Sequence, residues 1–300
     1  MKIAWNKIYS HPLPEGHKFP MEKYSLIPQI LLEDQIIKLN DIIDPQEITK
    51  ENILLTHSEE YLNRLESLSL NKKEVRKMGF PLSAELIKRE KMIGQGTLDL
   101  AYYSLRNNNA GLNVAGGTHH AFRDLPEGFC LLNDLAIAAN VLLNENLVRK
   151  ILIIDLDVHQ GNGTAKLFEN DNRVFTFSMH AEDNYPLEKQ KSDLDIGLSH
   201  NISDSEYLEL VESNTIRLLK NEKPDIVFYQ CGVDILETDK FGRINISPSA
   251  CNKRDDIVIE NVWKENLPLV CTMGGGYSPN IMDIVNAHLY TFRKVKEIFG

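Results

Sequence analysis

The chain has 300 residues, an ordinary hydrophobic content of 42% and charged content of 25%, and a net charge of −10. This acidic balance argues against nucleic acid or an anionic membrane as the main partner, and no apolar run approaches the roughly 18 residues that span a bilayer. The charge is compatible with basic protein substrates, although solubility alone explains it.

The cysteines and the first residues indicate a reducing compartment. The four cysteines, at positions 130, 231, 251 and 271, show no CxxC spacing, and MKIAWNKIY turns polar too soon for a secretory signal. We therefore expect reduced cysteines and a cytoplasmic protein.

The first third of the chain mixes short elements and loops. Residues 2–5 predict a strand, and residues 11–20 predict an ordered loop, since they hold three prolines and one glycine. Helices are predicted over 21–33 and over 83–106, and a further helix is predicted to begin after Ser58, which would be its N-cap. The polar, basic stretch 71–81 is predicted to be a loop. The two loop histidines, His11 and His17, could line the mouth of a site or simply lie on the surface.

A regular alternation begins near residue 110. Continuous apolar segments predict strands at 111–115, 151–155, 174–178, 226–230 and 269–273, and helical patterns fall at 132–145, 164–168, 206–220, 249–265 and 277–299. Such alternation predicts a parallel sheet covered by helices on both faces. With no repeat or linker visible, we expect an α/β protein with a single domain over residues 1–300.

Polar residues follow each of these five strands. The segments are GGTHH, DLDVH, SMH, CGVD and GGGY, and each supplies small residues with a histidine, aspartate or tyrosine. Open α/β sheets bind ligands outside the carboxyl ends of their strands. Five such segments on one edge predict an active site there.

The segment ILIIDLDVHQGNG places Asp155, Asp157 and His159 at alternate positions, which share one side of an extended chain. The simple alternative is a strand end whose acids cap the next helix. Asp234 is expected at the same edge of the sheet, and this convergence of acids with a histidine favours a bound metal ion. Carboxylate oxygen and histidine nitrogen ligands suit zinc or iron better than calcium. Three protein ligands leave a zinc position open, as catalysis requires.

Two other groups have catalytic residue types. His119 and His120 follow glycines that permit a turn, so one could act as general base and the other as a proton-holding partner. Tyr277 follows three glycines and could donate to a developing oxyanion, although it could also be a packed tyrosine at a helix start. We expect Asp155 to orient a histidine or to hold a second cation.

Other catalytic patterns are absent from the sequence. No serine elbow, phosphate loop or dinucleotide fingerprint occurs. Attack of a metal-activated water on a carbonyl is then the simplest reaction class.

Taken together, the motifs resemble the zinc-dependent histone deacetylase family. GGTHHAF, EGFCLLND, IDLDVHQGNGT, SMH, CGVDIL and GGGY occur in the family's order, and HPLPEGHKFPMEKY and DILETDKFGRINISP resemble its class IV and bacterial branches. The resemblance implies the arginase/deacetylase fold, an open eight-stranded parallel sheet. Only six strands can be predicted from the pattern, so two edge strands are expected in addition.

The resemblance also implies a role for individual residues. Zinc would be held by Asp157, His159 and Asp234, with His120 as general base, His119 as its electrostatic or acidic partner and Tyr277 as the residue that polarises the carbonyl. The implied substrate-binding residues are Gly128, Phe129, Tyr185, Phe241, Gly275 and Gly276, the first three as tunnel walls. A monovalent cation, K⁺, would be held by Asp155, Ser178 and Met179 with backbone carbonyls of Asp157 and His159.

Asn162 departs from many family members, which have an aspartate paired with the second histidine. A neutral partner is expected to leave His120 less basic and unprotonated near neutral pH.

The motifs and the resemblance together predict a zinc-dependent amidohydrolase that removes acetyl or longer acyl groups from lysine side chains. The alternatives are a deacetylase of small molecules such as acetylpolyamines and a weakly active scaffold that binds acyl-lysine.

Overall fold

The apolar segments form the centre of a parallel sheet in the computed structural model, which describes residues 1–300. The sheet has eight strands in the order β2-β1-β3-β8-β7-β4-β5-β6, and every pairing is parallel. The strands are β1 (Lys2–Ala4), β2 (Ile42–Ile43), β3 (Ala110–Asn113), β4 (Ile151–Asp155), β5 (Val174–Ala181), β6 (Leu194–Leu198), β7 (Ile226–Gln230) and β8 (Leu269–Thr272). The predicted α/β class and eight-stranded sheet are confirmed.

Ten α-helices connect and cover the strands. They are α1 (Lys23–Glu33), α2 (Lys50–Leu54), α3 (Glu59–Glu66), α4 (Lys72–Met78), α5 (Ala84–Asn107), α6 (Asp134–Asn144), α7 (Asn162–Phe168), α8 (Asp204–Glu222), α9 (Pro248–Lys264) and α10 (Ile281–Phe299). Helix α5 packs against β1, β3 and β8, and α10 packs against β3. As predicted, Ser58 caps α3 and accepts a hydrogen bond from the Tyr61 amide.

The two strands that the pattern did not predict lie at the two edges of the sheet. β2 has only two residues, and β6 alternates between exposed and half-buried positions, so neither shows the continuous apolar run of a central strand.

Several predicted boundaries were wrong. Residues 71–81 are not a loop, because Asn71 and Glu74 form a capping box and start α4, which ends at the left-handed Gly79. The last helix begins at Ile281 rather than 277, with Asn280 as its N-cap. β5 continues to Ala181 rather than ending at 178, so Met179 and His180 lie within the strand rather than after it.

A buried arginine connects the loops that follow β4 and β7. The Arg254 guanidinium is fully buried and donates to the backbone oxygens of Gly232 at 2.6 Å, Cys231 at 3.3 Å and Leu156 at 3.4 Å. It also pairs with Asp255 at 2.8 Å. Because these two loops carry the aspartates of the predicted metal site, Arg254 helps to set the distance between them.

Candidate active site

Asp157, His159 and Asp234 meet at the carboxyl edge of the sheet. One potential ligand atom from each lies within 4.8 Å of the others, and all three residues are buried. The His159 Nδ1 lies 3.1 Å from Asp234 Oδ2 and 3.2 Å from Asp157 Oδ1. β4 and β7 are neighbours in the sheet, which explains how residues 75 positions apart come together.

Backbone groups hold the two carboxylates in place. Asp157 Oδ2 accepts from the Gly275 amide at 2.8 Å, and Asp234 Oδ1 accepts from the Val158 amide at 2.9 Å. A Cβ at Gly275 would overlap the Asp234 carboxylate, and a Cβ at Gly232 would overlap that of Asp157. The glycines are therefore needed because the backbone passes directly behind the acids.

The electrostatics of this cluster favour a bound cation. Burial and the neighbouring Asp157 raise the pKa of Asp234 to about 7. Burial opposes charge on His159, but its hydrogen bonds to both carboxylates outweigh burial and raise its pKa to about 10. A divalent cation would neutralise two buried carboxylates that otherwise repel each other. The donor set of two carboxylates and one imidazole fits catalytic zinc.

The adjacent histidines have different partners. His119 Nδ1 donates to Asp155 Oδ2 at 2.7 Å, whereas His120 Nδ1 donates to the amide oxygen of Asn162 at 2.7 Å. Burial opposes charge on His119, but Asp155 and Asp157 raise its pKa to about 9. Burial, followed by the charges of His119 and His159, holds the pKa of His120 well below its usual value. The pair therefore combines a charged and a neutral imidazole near neutral pH.

Asp134, a residue that the sequence analysis missed, holds the histidine loop. Its carboxylate accepts from the amides of Gly117 at 3.1 Å and Thr118 at 2.8 Å, and from the Thr118 hydroxyl at 2.6 Å. Gly116 and Gly117 have positive φ values of 77° and 76°, which permit the turn. The signal in the sequence was an acid at the start of α6, which we would otherwise interpret as a simple helix start.

Glu127 is a second residue that the sequence analysis missed. Its Oε1 accepts from the Tyr185 hydroxyl at 2.6 Å and from Asn162 Nδ2 at 3.3 Å, and its Oε2 pairs with Lys77. The residue is 4% exposed. By accepting from the amide nitrogen of Asn162, it orients the amide oxygen toward His120. Burial of this carboxylate is compensated by two hydrogen-bond donors and by the charge of Lys77.

Tyr277 borders the pocket beside the metal cluster. Its backbone amide donates to Asp239 Oδ2 at 2.6 Å, and the Asp239 Oδ1 accepts from the amides of Phe241 and Gly242 at 2.8 Å. Asp239, which sequence reasoning also missed, thus links Tyr277 to the loop that carries Phe241. Burial and then the charges of Asp234 and Asp157 hold the pKa of Tyr277 well above its usual value, so the phenol keeps its proton.

An aromatic cavity of about 440 Å³ leads to these residues. His120, His159 and Tyr277 line it together with four of the six predicted substrate-binding residues, namely Gly128, Phe129, Tyr185 and Phe241. The Tyr185 ring lies 5.1 Å from that of His120, and the Phe241 ring lies 4.9 Å from that of Tyr277. A Cβ at Gly128 would approach the His120 ring to 2.6 Å.

The other two predicted substrate residues are placed differently. Gly275 lies behind the metal cluster and lines a smaller inner cavity, and Gly276 packs on Val233 and Ile284. Neither lines the aromatic cavity. The loop histidines do not line it either: His17 stacks on Phe80 with ring centroids 5.7 Å apart, and His11 is buried.

The residues predicted to hold K⁺ lie on two neighbouring strands. Asp155 pairs in register with Ser178, and both are buried beside Met179. The Asp155 carboxylate contacts His119 and the Asp157 amide, at 2.7 Å and 3.1 Å. Asp155 therefore orients a catalytic-type histidine, and a cation bound through backbone oxygens stays a prediction.

No helix of the protein combines the length and the apolar character that crossing a membrane requires.

Comparisons with known proteins agree with this geometry. A family model described as a histone deacetylase domain matches residues 17–292. An uncharacterized protein of Picosynechococcus is 39% identical over 297 residues, covering 99% of both chains. Histone deacetylase 2 of Arabidopsis thaliana is 30% identical over 271 residues, covering 87% of this chain and 70% of that one. The acetoin utilization protein AcuC of Staphylococcus aureus is 27% identical, covering 80% of this chain and 67% of that one.

Solved structures show the same fold. A histone deacetylase homolog in complex with SAHA superimposes with a TM-score of 0.85 at 25% identity, covering 99% of this chain and 84% of that one. A homolog from Aquifex aeolicus gives a TM-score of 0.83 at 25% identity, with the same coverage. The family match over nearly the whole sequence, together with this fold, shows that the chain belongs to the histone deacetylase family.

Proposed function

We propose that the protein is a zinc-dependent hydrolase that removes acetyl or longer acyl groups from lysine side chains. The observation that carries this proposal is the buried cluster of Asp157, His159 and Asp234, whose histidine lines one aromatic cavity together with His120 and Tyr277. A lysine side chain is long and, once acylated, uncharged. It therefore suits a cavity whose wall is aromatic and whose inner end is polar.

Zinc is the metal that best suits the three ligands Asp157, His159 and Asp234. When bound, it would supply a Lewis acid for the acyl carbonyl and would make a water molecule more acidic. K⁺ beside Asp155 is proposed as a structural ion. The free, buried state of all four cysteines supports the proposed cytoplasmic location.

Two imidazoles handle the protons in the proposed reaction. His120 is neutral because of its burial and its charged neighbours, so it can take a proton from the attacking water. His119, held in the charged form by Asp155 and Asp157, stabilises negative charge beside it. A protonated histidine then gives a proton to the leaving amine.

Tyr277 supplies a hydrogen-bond donor to the acyl oxygen. Its phenol stays protonated because of burial and the neighbouring carboxylates. The donor is held in place by the Asp239 hydrogen bond to its backbone and by the Phe241 and Phe129 rings, whose centroids lie 4.9 Å and 5.9 Å from its own. A fixed donor costs little reorganisation when charge develops on the oxygen.

The test is a substrate panel for zinc-loaded protein whose metal content has been measured. The panel contains acetyl-lysine peptides, longer acyl-lysine peptides and acetylpolyamines. We expect hydrolysis of the peptides and inhibition by SAHA, with which a related homolog forms a complex. Preference for acetylpolyamines would support a small-molecule deacetylase, and no hydrolysis of any member by the zinc-loaded protein would support a binding scaffold instead.

A further inference from the structure

The mouth of the aromatic cavity is positively charged although the protein as a whole is acidic. The cationic residues that line the cavity are Arg76, Lys77, Lys240 and Arg243, and no aspartate or glutamate lines it. The whole chain carries a net charge of −10. The local charge is therefore opposite in sign to the overall charge.

Three of these cations have no acidic partner. Arg76, Lys240 and Arg243 are exposed and form no salt bridge, although the Arg243 guanidinium donates to a backbone oxygen at 2.9 Å. Lys77 pairs with Glu127. Lys18 adds a further unpaired charge, because its ammonium lies 5.7 Å from the centre of the Phe241 ring, in the adjoining groove.

No carboxylate near the mouth forms a salt bridge with these unpaired cations. The two carboxylate oxygens of Asp239 accept hydrogen bonds from three backbone amides. Glu127 is almost fully buried. Glu182 and Asp183 are exposed and do not line the cavity, and Asp183 contacts Arg243 only through its backbone oxygen.

The cations come from three separate segments. Arg76 lies in α4, Lys240 and Arg243 lie in the loop that Asp239 organises, and Lys18 lies in the N-terminal loop. Arg76, Lys240 and Arg243 are exposed members of the cavity lining, so they lie on its solvent side, where the residues flanking an acylated lysine must lie. Charges at this position act on those flanking residues and not on the acyl-lysine itself, which is neutral.

We infer that the protein selects acyl-lysines that are flanked by acidic residues. This inference rests on the proposed deacylase function. Opposite charges around the mouth would raise the local concentration of acidic segments and favour their docking. Segments rich in lysine and arginine would be repelled, as would acetylpolyamines, which keep cationic amines beside the acyl group.

The test compares acetyl-lysine peptides that differ only in flanking charge. Three peptides carry aspartate and glutamate, serine and glutamine, or lysine and arginine around the same central residue. At low ionic strength we expect kcat/KM for the acidic peptide to exceed that for the basic peptide by about tenfold or more. The ratio should shrink at high salt, since the Debye length falls from about 30 Å at 0.01 M to about 3 Å at 1 M.

A charge-reversal variant and a matched control identify the source of the preference. The double variant Lys240→Glu/Arg243→Glu is expected to reduce the acidic-to-basic ratio to about one or below. The control Lys220→Glu reverses an exposed, unpaired lysine near the end of α8, and should keep the parental ratio. Fluorescence anisotropy of the labelled peptides measures binding separately.

The outcomes separate the two proposals. Equal kcat/KM and equal binding for acidic and basic peptides would overturn the charge preference while leaving the deacylase function intact. If zinc-loaded protein hydrolyses none of the peptides, the deacylase proposal fails. The anisotropy ratio then still decides the charge preference.

Discussion

The His120 Nδ1 lies 2.7 Å from the amide oxygen of Asn162, so this imidazole has a neutral hydrogen-bond partner. The neighbouring His119 has a carboxylate partner at the same distance, Asp155. The pKa values of two adjacent histidines are thus shifted in opposite directions. One is held neutral and suits a base, and the other is held charged and suits an electrostatic partner.

Asn162→Asp is expected to raise the pKa of the acid limb of the pH–rate profile. A carboxylate beside His120 would favour its charged form, and the proposed reaction needs the neutral form. Activity should therefore be lost at a higher pH than in the parent as the pH falls. The kcat/KM profile of zinc-loaded protein measures this, and an unchanged acid limb would refute the role of the pair.

Glu127→Leu is expected to lower kcat by about tenfold or more, as losses of orienting groups do. Without the carboxylate, the Asn162 amide can rotate and present its donor side to His120, and the Tyr185 hydroxyl loses its acceptor. The acid limb should shift as well, which a purely structural defect would not cause.

Two variants control for this effect. Glu127→Gln keeps an oxygen acceptor and should recover most of the lost kcat. Tyr185→Phe removes one donor to Glu127 but leaves the Asn162 contact, so it should keep the parental acid limb. Parental kcat and pH dependence in Glu127→Leu would show that Glu127 does not position Asn162.

The sequence predicted the three residues that form the buried candidate metal cluster, but not the residues that hold the site together. Asp157 and His159 come two and four residues after the end of β4, in a bend rather than in the extended chain that the pattern predicted. Asp234 follows the neighbouring strand β7, so the order of motifs and the sheet topology were sufficient to bring the three together. Glu127 and Asp239 act through contacts with loops that are distant in sequence. No local pattern distinguishes them from ordinary surface acids.

In the fold, too, some elements could be predicted from a local pattern and others could not. Central strands such as β4 and β7 are buried over all their residues and leave a continuous apolar run in the sequence. The edge strand β6 is half exposed and leaves no such run. Helix α4 was not predicted, because its capping box lies in a basic, polar stretch that has the composition of a loop.

Tyr277→Phe is expected to lower kcat by a factor that corresponds to about 2–4 kcal/mol of transition-state stabilisation, the range for one oxyanion donor. The ring should keep its position, because its contacts with Phe129 and Phe241 are between aromatic rings and do not need the hydroxyl. KM should change less than kcat. Full kcat in this variant, with zinc content equal to the parent, would remove Tyr277 from the mechanism.

Chelation of the metal is expected to lower the melting temperature. Without a cation, burial and then the neighbouring charge of Asp157 raise the pKa of Asp234 to about 7, so the site holds two carboxylates in an unfavourable environment. Zinc at 100 times its Kd would contribute about 2.7 kcal/mol to the stability of the folded state. Its affinity should fall with decreasing pH, because Asp234 and His159 take up protons.

Asp234→Asn should bind less zinc and show little change in melting temperature on chelation. The matched control Asp34→Asn makes the same change at an exposed carboxylate and should respond like the parent. Metal analysis and differential scanning calorimetry give the two readings. An identical chelator response in Asp234→Asn and the parent would place the metal elsewhere.

Arg254→Met is expected to lower the free energy of unfolding by about 3–5 kcal/mol, the range for breaking a buried ion pair. The change leaves Asp255 buried without its charged partner, and three backbone oxygens, two of them beside Asp234 in sequence, lose a donor. Lys253→Met is the control, because that exposed lysine lies 3.5 Å from Asp256 in a surface pair that contributes about 0–1 kcal/mol. Urea unfolding with zinc present measures both changes.

Arg254 also fixes the separation of the loops that carry Asp157 and Asp234. The Arg254→Met variant should therefore bind zinc more weakly than the Lys253→Met control. Parental stability together with parental zinc affinity in Arg254→Met would contradict both roles of the arginine.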